Sequence, residues 1–229
     1  MKAILRGGFL ALVIMLAVSA NAGPWEDGQA AYGSGDYATA IKFWRPLAEH
    51  GHAAAQHHLG VMYDRGQGVP KDYAEAVKWH RMAAEQGVAI SQFNLGNMYA
   101  GGRGVPQDYA EAVKWYRNAA EKGFADAQYN LGFMYYDGLG VRQDDAAAHM
   151  WFNLAVAQGD EEAQKYRDIA ASQMSPAQIA EAQRMAREWM AKHERQPLAA
   201  EPTEPNLPPL PSITVEDAPI FDIRPLKPN

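Results

Sequence analysis

The chain has 229 residues, 48% hydrophobic and 21% charged, with a net charge of −6 and no cysteine. That composition fits packed structure rather than a disordered polymer. The acidic balance excludes a protein working mainly on nucleic acid, which needs a basic face to neutralise phosphates. Without disulfides, an apolar core must hold the fold.

Met1 to Ala22 reads as an export signal. Lys2 and Arg6 make a positive start, Phe9 to Val18 an apolar run, and Ala20-Asn21-Ala22 an Ala-x-Ala cleavage site. The run falls short of the roughly 20 apolar residues that a membrane span needs. The expectation is cleavage after Ala22, a periplasmic or secreted product, and no membrane span in the mature chain. No cysteine stands beside the site, which excludes a bacterial lipoprotein.

Residues 23–50 make a half-unit. Trp25 to Tyr32 reads as one helix, Gly33-Ser34-Gly35 as a short turn, and Asp36 to Glu49 as a second helix. From residue 51 to 158 the chain repeats. Asp72-Tyr73-Ala74-Glu75-Ala76-Val77-Lys78-Trp79 returns 36 residues on as Asp108 to Trp115, and Leu59, Leu95 and Leu131 share the same step. So do Gly60, Gly96 and Gly132, and Gly51, Gly87, Gly123 and Gly159. A period between 20 and 50 residues is the mark of a solenoid, each unit burying its apolar face on its neighbours.

Each unit reads as two helices. Ile90, Phe93, Leu95, Met98 and Tyr99 have helical spacing over 89–99. Gly101-Gly102-Arg103-Gly104 breaks that helix and Val105-Pro106 keeps the chain extended. Asp108 is placed to cap the second helix, with Glu111 completing a capping box and Gly123 as the stop at C′.

Ala127-Gln128-Tyr129-Asn130-Leu131-Gly132-Phe133-Met134-Tyr135, followed by Gly138-Leu139-Gly140-Val141, with the Asp-Tyr-Ala-Glu-Ala-Val-Lys-Trp block of the other units, resembles the Sel1-like repeat. This is a relative of the tetratricopeptide repeat with a longer, glycine-rich loop. The resemblance implies an all-α fold, an α/α solenoid superhelix, that acts mainly as a protein-binding scaffold. With an export signal it points to a protein of a Gram-negative periplasm and to a protein or peptide partner of the cell envelope.

Residues 159–195 read as a degenerate repeat and a capping helix. Arg167 and Asp168 stand where Leu and Gly stood, and Ser175-Pro176 opens a helix with Ile179, Ala182, Met185, Ala186 and Trp189 on one face. Its mixed-charge polar face disfavours a membrane-surface helix. Residues 196–229 carry nine prolines and read as an extended tail. Leu207-Pro208-Pro209-Leu210-Pro211 has the composition of a polyproline II ligand, and Ile220-Phe221-Asp222-Ile223 that of an added strand.

Three kinds of site are in play. His50, His52, His57 and His58 lie close in sequence but match no zinc spacing, and they read as surface and groove side chains; no metal or cofactor is expected. No phosphate loop, Gly-x-Ser-x-Gly or His-Glu-x-x-His is present, so no catalytic residue is assigned. Some secreted, cysteine-rich members of the resembled family are associated with β-lactam binding or hydrolysis, which keeps a cell-envelope or β-lactam-active enzyme as the alternative. The third is the concave groove. In tetratricopeptide-like repeats, positions matching His57, Val61 and Asp64, Phe93 and Asn97, and Tyr129, Phe133 and Tyr136 line that groove and meet ligands. Aromatic anchors in a concave surface make strong binding sites.

Overall fold

A computed structural model of the chain describes residues 23–194; the segment read as an export signal and the proline-rich tail, with the motifs read in them, lie outside the described residues. The described chain forms ten α-helices: α1 (Pro24–Gly33), α2 (Tyr37–Glu49), α3 (Ala53–Arg65), α4 (Tyr73–Glu85), α5 (Ala89–Gly101), α6 (Tyr109–Ala120), α7 (Ala125–Asp137), α8 (Asp145–Val156), α9 (Glu161–Ser172) and α10 (Pro176–Glu194). Packing runs mainly between consecutive helices, with α10 seated on α8 and lighter contacts between successive first helices such as α7 and α9. The odd-numbered helices from α1 to α9 form one layer of the solenoid, and α2, α4, α6 and α8 the other.

The second helices begin where the sequence predicts. Asp72, Asp108 and Asp144 each accept two backbone N–H groups of the following turn at 2.9–3.1 Å. Only half of the expected capping box closes. The Asp108 N–H already donates to the Tyr99 carbonyl, so the Glu111 carboxylate has no donor there and accepts from Lys114 instead. A second correction concerns Gly123: α6 ends at Ala120, and the glycine takes its positive φ of 81° in the turn beyond the cap.

Gly102 caps α5 at φ 63° and Gly104 follows at 71°, left-handed conformations that other residues adopt at a cost. A Cβ on Gly104 would run into the Tyr73 carbonyl, because the loop lies on the first turn of α4, one unit back. Gly68 meets Tyr37 and Gly140 meets Tyr109 in the same way. The long loop is therefore a clamp between successive units.

Inside each unit a glycine of the first helix meets a ring of the second. Gly28 faces Trp44, Gly60 faces His80, Gly96 faces Tyr116 and Gly132 faces Phe152. Ring and glycine are 16 residues apart in the first unit and 20 in the others, so the four-residue deficit falls in the turn and the packing is kept. Leu59, Met62, Leu95, Met98, Leu131 and Met134 fill the space between layers, each contributing about 1.5–3 kcal/mol of transfer free energy. Buried glutamines bind unit to unit: Gln56, Gln92 and Gln128 donate to the carbonyls of Ala48, Ala84 and Ala120 at the ends of the preceding second helices.

The stack stops at α9. Its Arg167 and Asp168 pair with each other at 2.7 Å where earlier units packed leucine and glycine. With that slot spent, α10 turns back onto α8, burying Ala182 and Ala186 and setting Trp189 edge-on to Trp151 at 6.4 Å. Among the described residues no helix is long and apolar enough to cross a membrane.

Candidate functional site

At 3.6 residues per turn, positions 54, 57, 61 and 65 of α3 and their equivalents 36 residues apart share one side of each first helix. The sequence-predicted groove residues fall on this side, but most of them are closed over by the next first helix. His57, Val61, Asn97, Tyr129 and Phe133 are buried; Asp64, Phe93 and Tyr136 remain half-buried.

The closure has a repeated geometry. His57 Nδ1 lies 2.9 Å from Ser91 Oγ, joining α3 to α5. Asn97 joins α5 to its neighbours, its Oδ1 accepting from the Tyr116 hydroxyl at 2.7 Å and from Asn130 at 3.3 Å. Burial of that phenol raises its pKa, so it stays a donor. Tyr129, Phe133 and Tyr136 sit around the Tyr166 ring of α9 at 5.9, 5.6 and 6.3 Å. Asp64 pairs with Arg103 of the next loop at 3.4 Å, and both side chains are mostly covered. The predicted stripe is thus largely the seam between consecutive first helices. What stays open is a shallower surface beside it.

That surface carries the exposed large aliphatic side chains of the described residues, Ile90 at 36% and Ile169 at 45%. Ile90 counts among the apolar positions that predict helix α5, yet it turns outward. Phe93 lies beside it, packed on Phe124 at 5.2 Å, and Tyr166, one helical turn before Ile169, meets Tyr136 at 6.3 Å. Asp126 and Asp137 rim the middle of the face. Ile90 escapes the sequence reading because it lies outside the triplet of the stripe; Ile169 holds the triplet's own middle position, that of Val61, Asn97 and Phe133, but in the degenerate unit to which the triplets do not extend. The position three residues before that triplet, held by Ala54, Ile90, Asp126 and Glu162, is the signal that finds the first of them.

The histidines differ from the sequence expectation. His50 is exposed, but His57 and His58 are buried at 8% and 5%, and His80 at 2%. They are core groups rather than surface ones. The reason is the repeat itself, which places His57 on the seam and His58 flat against Trp44 at 4.5 Å. Desolvation and the Arg65 charge lower the His57 pKa to about 4; desolvation and the neighbouring imidazoles lower that of His58 to about 3. Among the described residues no group of three or more His, Asp or Glu side chains is placed to hold a metal ion.

The Sel1 repeat pattern matches residues 20–52, 53–88, 89–124 and 125–160, more than half of the chain. Among solved structures, a Sel1 repeat protein from Oxalobacter formigenes is similar at 38% identity and a TM-score of 0.57, over 59% of this chain and 56% of that one. A protective antigen of uropathogenic Escherichia coli strains, displaying an SLR fold, is similar at 28% identity and a TM-score of 0.53, over 74% of this chain and 45% of that one. The chain spans about half the length of these solved relatives. No curated protein matches it. Four consecutive pattern matches, laid onto α1 to α8 and the turn beyond, leave one assignment: the chain belongs to the Sel1 repeat family.

Proposed function

We propose that the chain is a non-catalytic interaction module that holds a protein or peptide segment of the cell envelope along the open face of its first helices. Sel1 repeat proteins generally mediate contacts between proteins. The observation that carries the reading is the placement of Ile90 and Ile169, with Phe93 and Tyr136, on that one face. Isolated apolar residues are ordinary on a protein surface, but aliphatic and aromatic groups carried by the successive first helices α5, α7 and α9 offer a linear ligand successive anchors. Asp64, Phe93 and Tyr136 of the predicted groove share in contact; His57, Val61, Asn97, Tyr129 and Phe133 hold the seam beneath.

The proposed site of action is outside the cytoplasm, with the chain starting at Gly23 after cleavage. Sequencing the N-terminus of the exported protein checks this; an intact Met1 refutes it. For the binding face, the chain and its Ile90→Asp/Ile169→Asp variant are compared in affinity capture from the cell envelope. The expected result is a polypeptide retained by the native chain and lost from the variant at equal helix content by circular dichroism. Equal capture by both removes the assignment.

A further inference from the structure

The Gly60–His80 contact lies beside His57 and His58, so three imidazoles share one region of α3 and α4. His57 stands 5.4 Å from His58 and 5.6 Å from His80, ring centre to ring centre, and all three are buried. The later units fill the matching slots with groups that do not take up a proton near neutrality. Phe93 and Tyr129 match His57, Asn94, Asn130 and Tyr166 match His58, and Tyr116 and Phe152 match His80. The chain therefore contains its own comparison, one histidine-filled unit against two that are not.

The groups around the three rings are mostly neutral, and the one carboxylate nearby is already paired. From α1 come the rings of Trp25 and Tyr32, and from α2 that of Trp44, all within 6 Å of His58. The α3 helix brings His52 at its N-cap, where the ring nitrogen accepts the Ala55 N–H, and Asp64 and Arg65 at its far end. From α5 comes the neutral Ser91 hydroxyl, and from the following loop Arg103, which is paired with Asp64. His80 Nδ1 is buried with no hydrogen-bond partner. A buried neutral imidazole is tolerable as a packed ring, whereas a buried imidazolium with no carboxylate to meet it is not.

We propose that the unit of α3 and α4 is an acid latch, which opens the N-terminal half of the stack in mildly acidic surroundings while α7 and α8 stay folded. Opening exposes the three rings to water, where each takes up a proton at its ordinary pKa of about 6.5. All three have lowered pKa values in the closed state, chiefly through desolvation. Protons therefore bind the open form more than the closed one, and closure is lost as pH falls below about 6.5. Each imidazole raises the opening constant by up to about tenfold per pH unit in that window. His149 on α8 is buried as well and has a lowered pKa, so the C-terminal half carries one such group against three.

The test is amide hydrogen exchange of the full chain at several pH values from about 7 to about 5, corrected for intrinsic rates and read by peptide. The native chain is compared with a His57→Phe/His58→Tyr/His80→Phe variant, which copies the groups at the matching slots, Phe93, Tyr166 and Phe152. The expected result is acid-enhanced exchange in α2 to α4 of the native chain that exceeds any rise in α7 and α8 and flattens in the variant. The same acid response in both chains overturns the proposal, as does a response spread evenly along the native chain. Should the triple variant fail to fold, imidazole proton signals of the native chain decide. Three rings titrating above about pH 6 while the N-terminal amides keep their folded shifts overturn the latch; titration only together with loss of those shifts supports it.

Discussion

Where a glycine of a first helix meets the ring of a second, one hydrogen atom sets the distance between the two layers. A Cβ on Gly96 would sit 2.6 Å from the Tyr116 ring, and that ring is fixed in turn by its hydrogen bond to Asn97. Alanine favours helix over glycine by about 1 kcal/mol, but the overlap costs about 1–3 kcal/mol, so repulsion wins. Gly96→Ala is therefore expected to lower the urea midpoint. Gly33→Ala, with open space at the Cβ, should leave it unchanged or raise it slightly. The 36-residue step made the Gly96 slot legible in the sequence, since a side-chain-free position recurred. The character of His57 and His58 was not legible, because the step equates positions without telling which are sealed by the following helix.

Among the elements, helix starts were the clearest feature to read and side-chain reciprocity the least. The Asp108 cap depends on residues two and three apart, a local matter; the fate of Glu111 depends on whether Tyr99, from another helix, has already taken the Asp108 N–H. Asp108→Ala should accordingly cost about 0.5–2 kcal/mol of stability, and Glu111→Ala no more than about 0.5 kcal/mol, since it removes an exposed pairing with Lys114. Equal losses in thermal melts would mean the box is closed in solution. Gln92 belongs to the same scale. Its amide reaches the Ala84 carbonyl at 3.0 Å in a buried place, but that carbonyl also accepts the Gly87 N–H, so Gln92→Leu removes one donor without orphaning the acceptor and should cost about 0.5–1.5 kcal/mol. The capping face of α10 was likewise visible as a stripe, but its seat on α8 follows from Arg167 and Asp168 spoiling the next slot, a tertiary consequence.

For the molecule as a whole, contacts between neighbours alone make the stack divisible at its period. Removing residues 89–124 joins Val88 to Ala125, and the splice preserves the local structure: Val88 and Phe124 are both N-caps with extended backbone, φ −66° and −70°. In the shortened chain Gln128 takes over the Ala84 carbonyl from Gln92, Tyr135 replaces Tyr99 beside Arg81, and Gly140 comes to lie on Tyr73. Not every contact transfers: buried Asn130 loses Asn97 and meets Val61 instead, and the Gly87 carbonyl loses Lys122. His57 loses the Ser91 hydroxyl and faces Ala127, and Asp64 loses Arg103, whose slot is filled by Leu139. The expected product is a folded chain whose melting temperature is lower, both because nearest-neighbour interfaces are fewer and because the new seam leaves an imidazole, a carboxylate and the Asn130 amide short of partners. Restoring the seam with Ala127→Ser should recover part of the loss; circular dichroism melts of the two deletion chains measure it. A deletion chain without cooperative melting would show that coupling reaches beyond adjacent units. Because the deletion also removes Ile90 and Phe93, partner capture should weaken even where folding is intact, and the same protein thus tests separately what the repeats do for stability and what they do for binding.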